Sequence, residues 1–152
     1  MEGLKAPRTQ SHLPISRAEE GGVILSPSIF KQAVTICLVE DDPSVVKATS
    51  RLLSSDGWNV QSFLDPLAFL RYAQAHRPEV AVIDILMPAM NGLEVQSRLR
   101  TLSPGTRVVV LTANDDPTVR SKATAAGASA FLIKPADDEK FLSAIESAAA
   151  ES

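Results

Sequence analysis

The chain has 152 residues, room for one domain with a substantial core and too little for two ordinary ones. Hydrophobic residues make up 45% and charged residues 22%, the balance of a soluble globular protein, and no run approaches the ~20 apolar residues that span a bilayer. The formal net charge is −3; of 15 basic and 18 acidic residues, 11 and 15 fall in residues 33–152, so that part carries −4 and offers nucleic acid no electrostatic footprint.

Residues 1–32 hold Pro7, Pro14, Pro27 and the Gly21–Gly22 pair without a sustained hydrophobic period. They read as a flexible N-terminal arm with one short ordered stretch near Val23–Leu25. The N-terminus lacks the apolar core of a secretory signal. The single cysteine, Cys37, sits in an apolar run and reads as a small buried hydrophobe. Both features fit a reducing cytoplasm.

From residue 33 to 152 the pattern is regular and reads as one domain. Apolar runs at residues 34–39, 80–83, 108–111 and 130–133 are rich in β-branched residues and do not alternate, as in strands of a parallel sheet covered on both faces. Residues 58–63 alternate and suit an edge strand. Asp42-Pro43, Asp65-Pro66 and Asp116-Pro117 each place a capping carboxylate before a proline at the first helical position. Val45, Val46, Leu52 and Leu53 form one helical face, which ends near Gly57. Val95, Leu99 and Leu102 form another, and Asp137 caps a last helix that buries Phe141, Leu142 and Ile145. Five strands alternating with five helices predict a doubly wound α/β domain with a parallel sheet.

In such sheets ligands bind outside the carboxyl ends of the strands. The first strand runs into Glu40-Asp41-Asp42, the third into Asp84, the fourth into Thr112 and the fifth into Lys134. Taken singly, each has an ordinary reading: a solvated acidic turn with Asp42 as helix cap, a strand end, a loop lysine. Asp84 directly after Val82-Ile83 is harder to explain so, because burying an unpaired carboxylate costs several kcal/mol. Carboxylates gathered from adjacent strands repel one another without a cation, and an all-oxygen set suits Mg²⁺.

Together the residues resemble a known pattern. Leu38-Val39-Glu40-Asp41-Asp42-Pro43, Asp84-Ile85-Leu86-Met87-Pro88-Ala89-Met90-Asn91-Gly92, Val110-Leu111-Thr112-Ala113 and Phe131-Leu132-Ile133-Lys134-Pro135 resemble the signature of response-regulator receiver domains over roughly residues 33–150. The intervals of 28 residues from Asp84 to Thr112 and 22 from Thr112 to Lys134 are also usual for that family. The resemblance implies a flavodoxin-like fold with strand order 2-1-3-4-5, an order for which a chemotaxis receiver is itself the standard example. It implies that Asp84 accepts a phosphoryl group from a sensor histidine kinase, a histidine phosphotransfer protein or a small acyl phosphate. It also implies that Asp41 and Asp84 ligate Mg²⁺, that Glu40 acts through water, and that Leu86 offers its backbone carbonyl. Lys134 would pair with Asp84 and then with the phosphoryl group, Thr112 would donate its hydroxyl, and Phe131 would swing inward. Lys134-Pro135 would be a cis peptide, and Gly92 would start a helix without a side chain that blocks the site. Leu86 and Asn114, two residues beyond Asp84 and Thr112, would govern the lifetime of the phosphoryl group.

The chain departs from the family pattern at Ala136, where a phenylalanine commonly follows Lys-Pro. His12 and His76 have no phosphotransfer context and are expected to be exposed; Met87 and Met90 are expected to pack the loop. A haloacid-dehalogenase phosphatase would need a second acid at Leu86. A flavodoxin would need a charge-free phosphate loop where Glu40-Asp41-Asp42 stands. The expectation is a phosphoacceptor domain and not an enzyme in its own right, with no contact to membrane or nucleic acid. The output partner and a homodimer are left open. The alternative is the receiver portion of a longer DNA-binding transcriptional regulator.

Overall fold

The computed structural model describes residues 15–17, 23–25 and 27–151. The remainder of the expected arm, His12 included, lies outside the described residues. Two short strands, β1 (Ile15–Arg17) and β2 (Val23–Leu25), pair antiparallel. Helix α1 (Pro27–Ala33) follows. The domain proper then runs β3 (Thr35–Val39), α2 (Pro43–Ser55), β4 (Asn59–Phe63), α3 (Pro66–His76), β5 (Val80–Ile83), α4 (Gly92–Leu102), β6 (Arg107–Thr112), α5 (Pro117–Ala125), β7 (Ala130–Ile133) and α6 (Asp138–Glu151).

The five strands β4-β3-β5-β6-β7 form one sheet, and every neighbouring pair is parallel. This is the expected order 2-1-3-4-5. The non-alternating runs are explained by the two faces of the sheet. On β3, Cys37 and Val39 join Phe69, Leu70, Val95, Leu99 and Ala123 in a cluster under α3, α4 and α5. Ile36 and Leu38 point the other way and join Leu53, Phe141 and Ile145 under α2 and α6. A strand covered on both sides has no polar face to show. Strand β4 lies at the edge and exposes Asn59, Gln61 and Ser62, which accounts for its alternation.

The helix starts follow local capping chemistry. Asp42, Asp65 and Asp116 accept the backbone N–H of Ser44, Leu67 and Thr118 at 2.9, 3.1 and 2.8 Å, each with proline in the first turn. Asp137 accepts from Glu139 N–H at 3.3 Å at the head of α6. Helix α2 stops at Ser55, with Gly57 at φ 101°, a conformation that favours glycine.

Two elements differ from the expectation: β1 is a strand in the arm besides the ordered stretch near Val23–Leu25, and α1, a sixth helix among the described residues, starts within the segment read as an arm and ends at Ala33. Phe30 meets Trp58 edge to face at a centroid distance of 6.1 Å. Lys31 pairs with Asp56 at 3.2 Å and lies 5.4 Å from the centroid of the Trp58 ring. Asp56 also accepts from Trp58 Nε1 at 3.0 Å, so one carboxylate ties α1 to the turn after α2.

Candidate functional site

The carboxyl ends of β3, β5, β6 and β7 lie side by side, and the polar residues that follow them converge there. Three carboxylates, Glu40, Asp41 and Asp84, each offer an oxygen, and these oxygens all lie within 4.8 Å of one another. Glu40 and Asp84 are buried, at 4% and 7% exposure, whereas Asp41 faces solvent. Lys134 reaches across from the end of β7 and donates to Glu40 Oε1 at 2.6 Å and to Asp84 Oδ2 at 3.1 Å. The other oxygen of Asp84 accepts from Leu86 N–H at 3.0 Å. Both oxygens of this aspartate are therefore oriented. Asp42 stands apart as the cap of α2, with its backbone N–H on Glu40 Oε2 at 3.2 Å.

Charge and burial compete in this cluster. At Glu40 burial pushes the carboxyl pKa upward. The hydrogen bond from Lys134 opposes this and the nearby charge of Asp84 reinforces it, with a net shift above the ordinary glutamate range. At Lys134 burial alone would lower the pKa. The bonds to Glu40 and Asp84 outweigh it and hold the ammonium above the usual lysine range. Lys134 is therefore a fixed cation between two acids, and the Lys134–Pro135 peptide that carries it is cis.

Thr112 ends β6 fully buried; its carbonyl accepts from Lys134 N–H at 2.8 Å and its Oγ1 accepts from Asn114 N–H at 3.2 Å. With the oxygen used as an acceptor, the hydroxyl proton is left for another partner. The Asn114 side chain is turned to its own loop, where Oδ1 accepts from Asp116 N–H at 3.0 Å. The Leu86 side chain is half exposed. Phe131 lies deeper on β7, beside Val110, and is 8% exposed. Met87 and Met90 pack into or against the core, and His76 is exposed. A cavity of about 380 Å³, lined by Leu52, Leu111, Pro135, Ala136 and Phe141 among others, lies beside Lys134 where Ala136 presents only a methyl group.

Gly92 shows how closely the backbone approaches the site. Helix α4 begins there, capped by Asn91, whose Oδ1 accepts from Leu93 N–H at 2.8 Å. Gly92 N–H donates to Ile85 O at 3.0 Å. A Cβ at position 92 would collide with the carbonyl oxygen of Asp84 and lie 2.7 Å from Ile85 Cα. Gly92→Ala is therefore expected to lower the unfolding free energy by about 1–3 kcal/mol, measured by urea denaturation. An unchanged midpoint would mean that α4 can draw back freely.

Sequence reasoning missed Asn91 as a cap, although an Asx residue just before the helix was a usable signal. It also missed the Glu40–Lys134 bond, the shorter of the two that the Lys134 ammonium makes. Ninety-four residues separate the partners, and no local pattern joins them.

Among the described residues no helix is long and apolar enough to cross a membrane. Residues 36–146 match the family described as the response regulator receiver domain. The probable transcriptional regulatory protein TcrX of Mycobacterium tuberculosis is 36% identical over 104 residues, 68% of this chain and 44% of that protein. The response regulator MprA of Mycobacterium ulcerans is 36% identical over 110 residues, 72% of this chain and 47% of that protein. The chain thus spans about half the length of these curated relatives. Among solved structures, a CheY-like receiver domain protein from Methanospirillum hungatei superposes with a TM-score of 0.74. It shares 24% identity, covering 78% of this chain and 94% of that one, and supports the fold alone. The chemotaxis protein CheY4 of Vibrio cholerae gives 0.71 at 28% identity, covering 76% and 98%. Sequence match, strand order and the acid–lysine cluster agree: the chain belongs to the receiver domains of two-component response regulators.

Proposed function

We propose that Asp84 accepts a phosphoryl group from a sensor histidine kinase or a histidine phosphotransfer protein, in the cytoplasm and with Mg²⁺ bound. The observation that carries this reading is the set of three acidic oxygens within 4.8 Å, closed on one side by Lys134. An Asp84 oxygen attacks phosphorus, the phosphorus–nitrogen bond of the donor breaks, and the histidine imidazole leaves, which gives an acyl phosphate. Phosphoryl transfer asks the protein mainly for positioning and for charge neutralisation. Lys134 supplies a fixed cation to the phosphoryl oxygens, and the free hydroxyl proton of Thr112 is available to another. The oxygen donors fit Mg²⁺: Asp41 and Asp84 would hold it, with Glu40 acting through water and the Leu86 carbonyl completing the protein ligands. When bound, the metal offsets the charge that spreads over the phosphoryl oxygens. Residues 33–152 serve as the receiver domain in this reading, and its only catalysis is its own phosphorylation and slow dephosphorylation.

The direct test is intact mass after treatment with acetyl phosphate, with Mg²⁺ and with EDTA. One added phosphoryl group that requires Mg²⁺ is expected; no gain with Mg²⁺ would overturn the reading.

Asp41 is exposed and caps nothing, so Asp41→Ala should weaken Mg²⁺ binding and leave the metal-free protein no less stable. Paired denaturation curves with and without Mg²⁺ decide this. Clear destabilisation without metal would give Asp41 a structural role instead.

The phosphorylated state should be long-lived. Hydrolysis needs a water held in line behind phosphorus. Leu86 has no group to hold one, and the Asn114 acceptor is committed to Asp116. Leu86→Glu should shorten the lifetime about tenfold, worth about 1.4 kcal/mol of barrier. The decay is timed in Mg²⁺ after removal of the phosphodonor. A variant that decays no faster than wild type would point to loop mobility as the control.

The matched segments make up less than half of each curated relative, and one of these relatives is called a transcriptional regulatory protein. That favours a second reading, in which this domain is the receiver portion of a longer DNA-binding regulator.

A further inference from the structure

We propose that Arg120 is a positioning residue for the switch, holding Phe131 in the buried position that accompanies phosphorylation of Asp84. This rests on the reading of Asp84, Thr112 and Phe131 given above. Phe131 sits on β7 in register with Val110 of β6, two residues before Thr112. Residues two apart on a strand face the same side, so Val110 and Thr112 share a face. Val110 and Phe131 belong to the cluster beneath α3, α4 and α5. A buried ring there fills the space behind Thr112. A ring turned outward empties that space.

Arg120 comes from α5. Its side chain is exposed, and its Cζ lies 5.2 Å from the centroid of the Phe131 ring, within the range of a cation–π contact. A guanidinium over the ring attracts the negative face of the aromatic system. The contact is made with the ring in, and in this proposal it is lost when the ring turns outward, so that it favours the inward position. For an exposed cation–π contact the bias is about two- to fivefold in population. Linkage is reciprocal: whatever Arg120 adds to the inward population must raise the affinity for a phosphoryl mimic by up to the same factor. In this proposal Arg120 acts only through Phe131.

The test uses the full chain labelled with 4-fluorophenylalanine, with the Phe131 resonance assigned by Phe131→Leu. The fluorine shift between H₂O and D₂O measures exposure of the ring without any phosphoryl mimic. Arg120→Met keeps the apolar stem and removes the charge, whereas Arg120→Lys keeps a cation. Arg120→Met is expected to increase the solvent isotope shift at Phe131 and to weaken beryllofluoride binding in Mg²⁺ about two- to fivefold. Arg120→Lys is expected to recover part of both, with the thermal midpoints nearly unchanged. An unchanged isotope shift in Arg120→Met, or a lysine variant no better than methionine, would overturn the proposal. A wild type that fails to bind beryllofluoride would refute the phosphoacceptor reading instead, while the fluorine comparison would still decide whether Arg120 holds the ring.

Discussion

Lys134→Met should lose about 2–3 kcal/mol of stability in EDTA at neutral pH, and Mg²⁺ should restore much of it. In the wild type the ammonium bonds two buried acids, Glu40 at 2.6 Å and Asp84 at 3.1 Å. Methionine fills similar volume and leaves both carboxylates in the same cleft with no cation. Breaking a fully buried pair costs about 3–5 kcal/mol. The smaller figure applies because the Lys134 side chain is 23% exposed and water can reach the cleft. A divalent cation on the same oxygens supplies the missing charge, so the loss should shrink when Mg²⁺ is added.

The pH dependence has a definite sign. The folded-state pKa of Glu40 already lies above its ordinary value of 4.5. A raised carboxyl contributes stability that is present below the unfolded value and lost as pH rises through the folded one. Without Lys134 that pKa rises further, so the variant suffers most at neutral pH and approaches wild type on acidification. Urea denaturation at about pH 7 and about pH 5, with Mg²⁺ and with EDTA, tests both points. A gap that widens on acidification, or no loss at all in EDTA, would mean that Lys134 does not neutralise the cluster.

What the sequence made legible was whatever depends on a few neighbouring residues. The three Asp-Pro pairs announce α2, α3 and α5 because capping is completed within one turn. The runs that became β3, β5, β6 and β7 could be read because a sheet covered on both faces leaves no alternation. Once the strand order was in hand, Glu40, Asp41, Asp84 and Lys134 had to meet at one edge. Helix α1 was not legible for the opposite reason. Its seven residues carry too little periodicity to stand out, and Phe30 and Lys31 find their support on Trp58 and Asp56, more than twenty residues away. Gln96 is a similar case: a polar residue on α4, 1% exposed, whose Nε2 donates to Ala123 O at 2.9 Å on the next helix. Nothing in the spacing of Val95 and Leu99 announces a buried amide between them. The contact of Arg120 with Phe131 likewise belongs to tertiary packing.

Asp84→Asn should abolish phosphoryl uptake altogether, the largest effect the account predicts. Asparagine keeps the size of the side chain and one oxygen. The amide is a far weaker nucleophile than a carboxylate and brings no charge to a metal. Glu40, the other buried acid of the cluster, gives one oxygen to Lys134 and the other to Asp42 N–H. Asp41 is the exposed one and is assigned to the metal. Neither is placed to substitute as acceptor. The most direct measurement is to locate the phosphoryl group itself. Wild type and Asp84→Asn are treated with acetyl phosphate in Mg²⁺, the acyl phosphate is reduced with borohydride, and the modified residue is identified by peptide mass spectrometry. Reduction at residue 84 is expected in wild type, and no modified peptide in the variant. Modification at Asp41 or Glu40 in the wild type, or full phosphoryl uptake by Asp84→Asn, would contradict it.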